Sequence, residues 1–271
     1  MELPKTVLSR RGGEVPWSPI RKLTPLADEA RRRGVEVLHL NIGQPDIRTP
    51  RPVLDAYRSF DADVLAYSPS LGIPPLRESI AAYYRRYGIA VEPRDVAVTV
   101  GGSEAIFFAL SAVCDPGDEI LVREPFYANY VAFAAMISAK VVPIPASIDD
   151  GFALPSRERI AACITPRTRA LLYISPENPT GIVYDPAELE TMRDLSRRFG
   201  LYLIADEVYR EFIYDGHVAF RSVLDLDGMA DHAILVDSVS KRFSSCGARI
   251  GSLTTRNRGV MELVDKFAQA R

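Results

Sequence analysis

Between residues 96 and 254 the chain alternates short apolar, β-rich runs with helical stretches, and no other feature constrains its fold as tightly. The runs cover 96–100, 119–123, 141–144, 170–174, 201–205 and 233–237, with 249–254 as one further candidate. The helical stretches between them cover 103–114, 127–139, 156–163 and 188–199. Strands separated by helices predict a mainly parallel sheet covered on both faces, a three-layer α/β/α domain. Leu76, Ile80, Tyr83, Tyr84 and Tyr87 have helical spacing before this region, and 260–271 has it after. Residues 1–50, rich in Pro, Arg and Gly, read as an arm carrying one strand over 35–42.

Composition narrows the class. Of 271 residues, 47% are hydrophobic and only 37 are Gly or Pro (17 + 20), which excludes disorder and collagen. Lys and Arg number 33 against 35 Asp and Glu, so the balance argues against nucleic acid as a partner. Cys114, Cys163 and Cys246 form no C-x-x-C pair, and His39, His217 and His232 are scattered, so no metal site is expected. Sparse, odd cysteines suit a reducing cytoplasm. The first thirteen residues lack the apolar core of a signal peptide. The longest uncharged stretch, 125–139, is too short and polar to span a membrane, which takes roughly 20 apolar residues.

Ligands of parallel α/β sheets bind beyond the carboxyl ends of the strands, so the residues after each run carry the functional argument. After 96–100 comes Gly101-Gly102-Ser103-Glu104 at a helix start. This is either a tight turn or a phosphate cradle, since glycines admit an anion to free N–H groups. It is neither a Walker A loop nor G-x-G-x-x-G, which disfavours a nucleotide-dependent dehydrogenase. After 170–174, Ser175-Pro176-Glu177-Asn178-Pro179-Thr180-Gly181 is a plain turn or a stiff loop fixing an Asn amide. After 201–205 come Asp206, Glu207 and Tyr209; the acids either make structural ion pairs or serve a ligand. Adjacent side chains point apart in extended chain, so a two-carboxylate glycosidase site is poorly supported.

Only five of the 33 basic residues are lysines: Lys5, Lys22, Lys140, Lys241 and Lys266. Lys241 alone follows an apolar strand inside a cluster of small hydroxylated residues, Ser238-Val239-Ser240-Lys241, with Arg249 close behind. A lysine in a low-dielectric pocket near other cations has a lowered pKa and becomes a nucleophile for carbonyls.

With these segments in this order, the sequence resembles the pyridoxal-phosphate aminotransferases of fold type I, class I/II, the aspartate aminotransferase-like group. The resemblance rests on Asn41-Ile42-Gly43-Gln44-Pro45-Asp46, Tyr67 through Gly72 to Leu76-Arg77, Gly101-Gly102-Ser103-Glu104-Ala105 and Glu124-Pro125-Phe126-Tyr127. It continues through Asn178-Pro179-Thr180-Gly181, Asp206-Glu207-Val208-Tyr209 and Ser238-Val239-Ser240-Lys241 to Arg249-Ile250-Gly251.

The resemblance implies a role for each matched position. Lys241 binds pyridoxal phosphate covalently and moves the substrate's α-proton. Asp206 pairs with the ring nitrogen; Tyr209 and Asn178 bond the ring's phenolic oxygen; Tyr127 stacks on the ring. Gly102, Ser103, Ser238, Ser240 and Arg249 hold the phosphate in a cofactor loop that includes Glu104. Tyr67 reaches the phosphate of a neighbouring subunit, implying a homodimer with shared sites, and the Gly43 backbone, with Asn178, meets the substrate. The implied reaction is ping-pong transfer of an amino group from an aspartate-like donor to a 2-oxo acid such as 2-oxoglutarate. A lyase on the same fold, of the C–S lyase or cyclopropane-carboxylate synthase type, shares the lysine and the aspartate. A regulator with this fold would carry a helix-turn-helix before it, and residues 1–50 do not fit one. Aspartate-preferring members often carry, where this chain has Ser103, a lysine that helps recognise the side-chain carboxylate, so at this position the chain departs from the aspartate-specific pattern. The expected organisation is an arm with part of a small domain over 1–48 and a cofactor-binding large domain over 49–271, the C-terminal small domain being absent.

Overall fold

The structure, a computed structural model, describes residues 7–214 and 220–271, so Lys5 and His217 lie outside the described residues. Helices α1 (Arg10–Glu14), α2 (Thr24–Arg32), α3 (Arg51–Arg58) and α4 (Pro74–Arg85) come first. Then follow β1 (Val96–Val100), α5 (Gly101–Val113), β2 (Glu119–Glu124), α6 (Asn129–Met136), β3 (Lys140–Pro145), α7 (Arg157–Cys163), β4 (Thr168–Ile174), α8 (Pro186–Phe199) and β5 (Tyr202–Asp206). β6 (Ala233–Ser238), α9 (Val239–Arg242), β7 (Ile250–Thr254) and α10 (Arg258–Gln269) complete the order.

The seven strands form one sheet in the order β1-β7-β6-β5-β4-β2-β3. β6, β5, β4, β2 and β3 run parallel, while β7 lies antiparallel between β6 and β1. Period-two alternation sends successive residues to opposite faces. On β4, Leu171 and Tyr173 enter one core with Tyr84, Leu121, Leu203 and Leu195, whereas Ala170 and Leu172 enter the other with Ile106, Leu110, Ile204 and Val264. Each fully buried Leu or Ile contributes about 1.5–3 kcal/mol of transfer free energy, so the sheet is held from both faces.

Helix boundaries follow local chemistry. α8 starts at Pro186 because Asp185 and Glu188 form a reciprocal capping box, and it stops where Gly200 takes φ +66°. α6 is shorter than its apolar spacing predicts, ending at Met136 just before Ser138 turns to φ +61°. α5 begins at Gly101, two residues earlier than predicted, directly off the end of β1.

One expectation fails. Residues 35–42 form no strand, and Leu38 and Leu40 stay exposed. A strand requires a hydrogen-bonded neighbour, and this segment lies outside the seven-stranded ladder. Apolar β-rich sequence supplies the propensity without the partner.

Candidate active site

The carboxyl ends of β4, β5 and β6, the start of α5 and two segments of the arm surround a cavity of about 640 Å³. That size suits a cofactor-sized ligand.

One end is built to receive an anion. Gly102 and Ser103 line it from the first turn of α5, and Ser238, Ser240 and Arg249 face them. Ser240 N–H donates to Ser238 Oγ at 3.1 Å, and the Ser238 hydroxyl donates to the Ile250 carbonyl at 3.0 Å. Both serines are thereby held in place where they line the cavity. Arg249 holds φ +55°, an uncommon conformation for a residue with a Cβ. Its Nη1 donates to the Cys246 carbonyl at 3.1 Å, and no carboxylate pairs with it among the described residues. Gly101, at φ +73°, leaves room for that guanidinium: a Cβ there would sit 2.3 Å from Arg249 Nη2. Gly251 permits an equally close approach, since its Cβ would lie 2.4 Å from the Gly101 carbonyl carbon.

The floor is Asp206. Tyr130, fully buried on α6, donates its hydroxyl to Asp206 Oδ2 at 3.1 Å, and Val208 N–H donates to Oδ1 at 3.3 Å. Burial pushes the Asp206 carboxyl up to about 7, and no cation offsets it among the described residues. Glu207 turns the other way, to Arg210, Ser222 and the Val223 N–H. The two adjacent carboxylates therefore have different surroundings, Asp206 lining the cavity and Glu207 held in an ion pair away from it.

Lys241 lines the cavity beside Asp206 and Tyr209. Its Nζ donates to the Gly43 carbonyl and stands 6.0 Å from the Tyr209 ring centroid. Burial raises the Tyr209 phenol to about 12, with a hydrogen bond to Asn178 acting against that rise. The Tyr127 ring stands edge-on to Tyr130, centroids 5.4 Å apart, and its oxygen accepts from Asn129 Nδ2 at 2.7 Å.

Thus Gly43, Gly102, Ser103, Tyr127, Asn178, Asp206, Tyr209, Ser238, Ser240, Lys241 and Arg249 line one cavity, although they span some two hundred positions of sequence. Two expected residues stand apart. Glu104 accepts from Val100 N–H at 2.7 Å and pairs with Arg271, bracing the loop from outside the cavity. Tyr67 is fully exposed. Of the other lysines, Lys140 is exposed at the start of β3 and Lys266 pairs with Glu262 at 2.8 Å. Sequence reasoning missed Asn129 and Tyr130, whose only signal is their place just after Tyr127, and it missed Arg21 of the arm.

A buried carboxylate without a counter-ion at a strand end, a Gly-Ser helix start beside Arg249 and a lysine line one cavity, and these are groups that a pyridoxal-phosphate enzyme uses. The chain belongs to the aminotransferase class I and II family, whose profile matches residues 35–270. It is 38% identical over 247 residues to the aspartate/prephenate aminotransferase of Thermus thermophilus, covering 90% of this chain and 63% of that protein. It is 39% identical over 222 residues to the arginine–pyruvate transaminase of Pseudomonas aeruginosa, covering 81% and 56% respectively. Among solved structures, aspartate aminotransferase of Thermus thermophilus matches with TM-score 0.90 and 35% identity, over 98% of this chain and 69% of that one. The Thermotoga maritima aspartate aminotransferase matches with TM-score 0.90 and 33% identity, over 97% and 70%. The chain spans about two thirds of the length of such relatives.

Pyridoxal phosphate is the cofactor of this family, and the donor set fits it on two counts. Asp206 is a carboxylate without a counter-ion, suited to a protonated ring nitrogen. Arg249 and the serines are positioned for a phosphate.

Proposed function

We propose that the protein is an aminotransferase that moves the amino group of an aspartate-like donor to a 2-oxo acid such as 2-oxoglutarate, by ping-pong turnover. The observation that carries this reading is the convergence of Lys241, Asp206 and the Ser238–Ser240–Arg249 cradle on one cavity.

When bound, pyridoxal phosphate supplies an aldehyde for the substrate amine and a ring that accepts electrons from the substrate's Cα. Asp206 would pair with the ring nitrogen and favour its protonated form. Asn178 and Tyr209, bonded to each other, would hold the phenolic oxygen, and Tyr127 would pack on the ring. Lys241 Nζ, which donates to the Gly43 carbonyl here, would be the group that holds and moves the substrate's α-proton once the substrate amine has freed it from the cofactor. The Gly43 segment of the arm borders the place where the substrate's carboxylate lies.

The same reading makes residues 49–271 the cofactor-binding unit and residues 1–48 an arm. Tyr67, fully exposed in the single chain, serves the phosphate of a second copy in a homodimer, with Glu104 bracing the loop behind it. No helix among the described residues is long and apolar enough to cross a membrane, and Cys114, Cys163 and Cys246 are all unpaired; we place the protein in the cytoplasm.

The test is to load the protein with pyridoxal phosphate and supply aspartate with 2-oxoglutarate. Glutamate and oxaloacetate should accumulate over many turnovers only when both substrates are present, with aspartate alone giving at most one oxaloacetate per bound cofactor. Ammonia release without a 2-oxo acid acceptor would overturn the transaminase reading.

A further inference from the structure

Four charged side chains line the cavity: Asp206, Lys241, Arg249 and Arg21. On the reading proposed above, on which this inference rests, three have partners. Asp206 faces the ring nitrogen, Arg249 the phosphate, and Lys241 is the reacting amine. Arg21 has none.

Arg21 opens a short 3₁₀ turn, Arg21–Leu23, just before α2. Two contacts fix that turn: the Arg21 N–H donates to Ser18 Oγ at 3.4 Å, and Asn41 Nδ2 donates to the Ile20 carbonyl at 3.3 Å. The guanidinium itself makes no hydrogen bond or ion pair to any described residue. Ser18, Thr24 and Asn129 line the same cavity and give its surroundings a polar character. Arg21 acts electrostatically on the Tyr127 phenol, as Arg249 does. The reacting amine is tied elsewhere, to the Gly43 carbonyl and beside Tyr209.

We propose that Arg21 is a specificity-determining residue that receives the side-chain carboxylate of an acidic amino acid, and of the matching 2-oxo diacid. A substrate's Cα must come within reach of Lys241 Nζ, which keeps its α-carboxylate near Gly43. A second carboxylate then extends away, and Arg21 is the cation left for it. A guanidinium offers a planar pair of donors that matches a carboxylate. Because Arg21 is exposed, leaving it unpaired costs little. Selectivity therefore comes from attraction of diacids, not from rejection of neutral substrates, and it weakens as salt rises.

The probe is succinate, which has two carboxylates and no amine, compared with butyrate, which has one. Each is titrated into the pyridoxal-phosphate-loaded protein and followed by calorimetry. Wild type should bind succinate about tenfold more tightly than butyrate. Arg21→Met should lose roughly that tenfold for succinate and less than about twofold for butyrate, with Arg21→Lys between. Unchanged succinate affinity in Arg21→Met would overturn the assignment. So would an equal loss for both acids, which would place Arg21 at the carboxylate they share. A chain that takes up no cofactor would show it by lack of colour before any acid is added; that outcome sinks the transaminase reading and this one with it.

Discussion

Tyr130 donates its hydroxyl to Asp206 Oδ2 at 3.1 Å from a ring with no exposed surface, so an acid that lines the cavity is held by a residue that does not. Burial raises the Asp206 carboxyl, and this hydrogen bond works against the rise. Tyr130→Phe should drive the carboxyl still higher. The net value of such a bond to a charged group is about 1.5–3 kcal/mol. Pyridoxal phosphate should therefore bind at least about tenfold more weakly at pH 8, with the fold intact by circular dichroism. An unchanged dissociation constant would remove Tyr130 from the site.

Asp206 also fixes a pH dependence. Its carboxyl is pushed up to about 7 in the ligand-free folded protein, against about 3.9 for an unfolded aspartate. Between those values the folded state holds one proton more than the unfolded state. Stability from this group is thus greatest at the acidic end and is lost as pH rises through about 7. Urea unfolding of the ligand-free protein should show a contribution that falls by about 2 kcal/mol between pH 5.5 and 8, roughly half of what the whole shift carries. Asp206→Asn should flatten that difference relative to wild type. Parallel pH curves for the two proteins would contradict it.

Gly101 and Arg249 make a second test. Gly101→Ala places a Cβ 2.3 Å from Arg249 Nη2 at a φ of +73°, which displaces the guanidinium from the cradle. Affinity for pyridoxal phosphate should fall by about tenfold or more, and affinity for inorganic phosphate by a similar factor. Full phosphate affinity would show that Arg249 does not serve the cradle.

Behind the Asn178 loop, Arg123 and Glu177 form a fully buried ion pair that Thr180 also joins. Arg123→Met leaves the Glu177 carboxylate buried without its cation and should cost about 3–5 kcal/mol in chemical denaturation. Adding Glu177→Gln should restore much of the loss, because the burden is the unpaired charge. Additive effects of the two substitutions would show that the pair is not coupled.

Much of this was legible in the sequence, and the failures have physical causes. The six strands from Val96 to Asp237, and the loops after them, follow from periodicity and turn chemistry, which are local. The strand expected at 35–42 does not form: the residue types suit one, but pairing is non-local and no neighbour accepts the segment. Position 249–254 was legible as a strand, yet its antiparallel place between β6 and β1 depends on how the chain turns after α9. Tyr130 and Arg21 escaped for the same reason. Nothing about a tyrosine inside an apolar helix, or an arginine in a Pro- and Arg-rich arm, tells which carboxylate or cavity it will face. Glu104 shows the converse: its motif position is right for a cofactor loop, but its side chain turns outward to Val100 and Arg271.

On the proposed function, Lys241 is the amine that bonds the cofactor. The direct measurement is borohydride reduction of the pyridoxal-phosphate-loaded protein, followed by peptide mass mapping. Wild type and Lys140→Ala should be yellow and carry the reduced adduct on Lys241, whereas Lys241→Ala should carry none. A reducible adduct persisting in Lys241→Ala, or mapped to another lysine in wild type, would contradict the account.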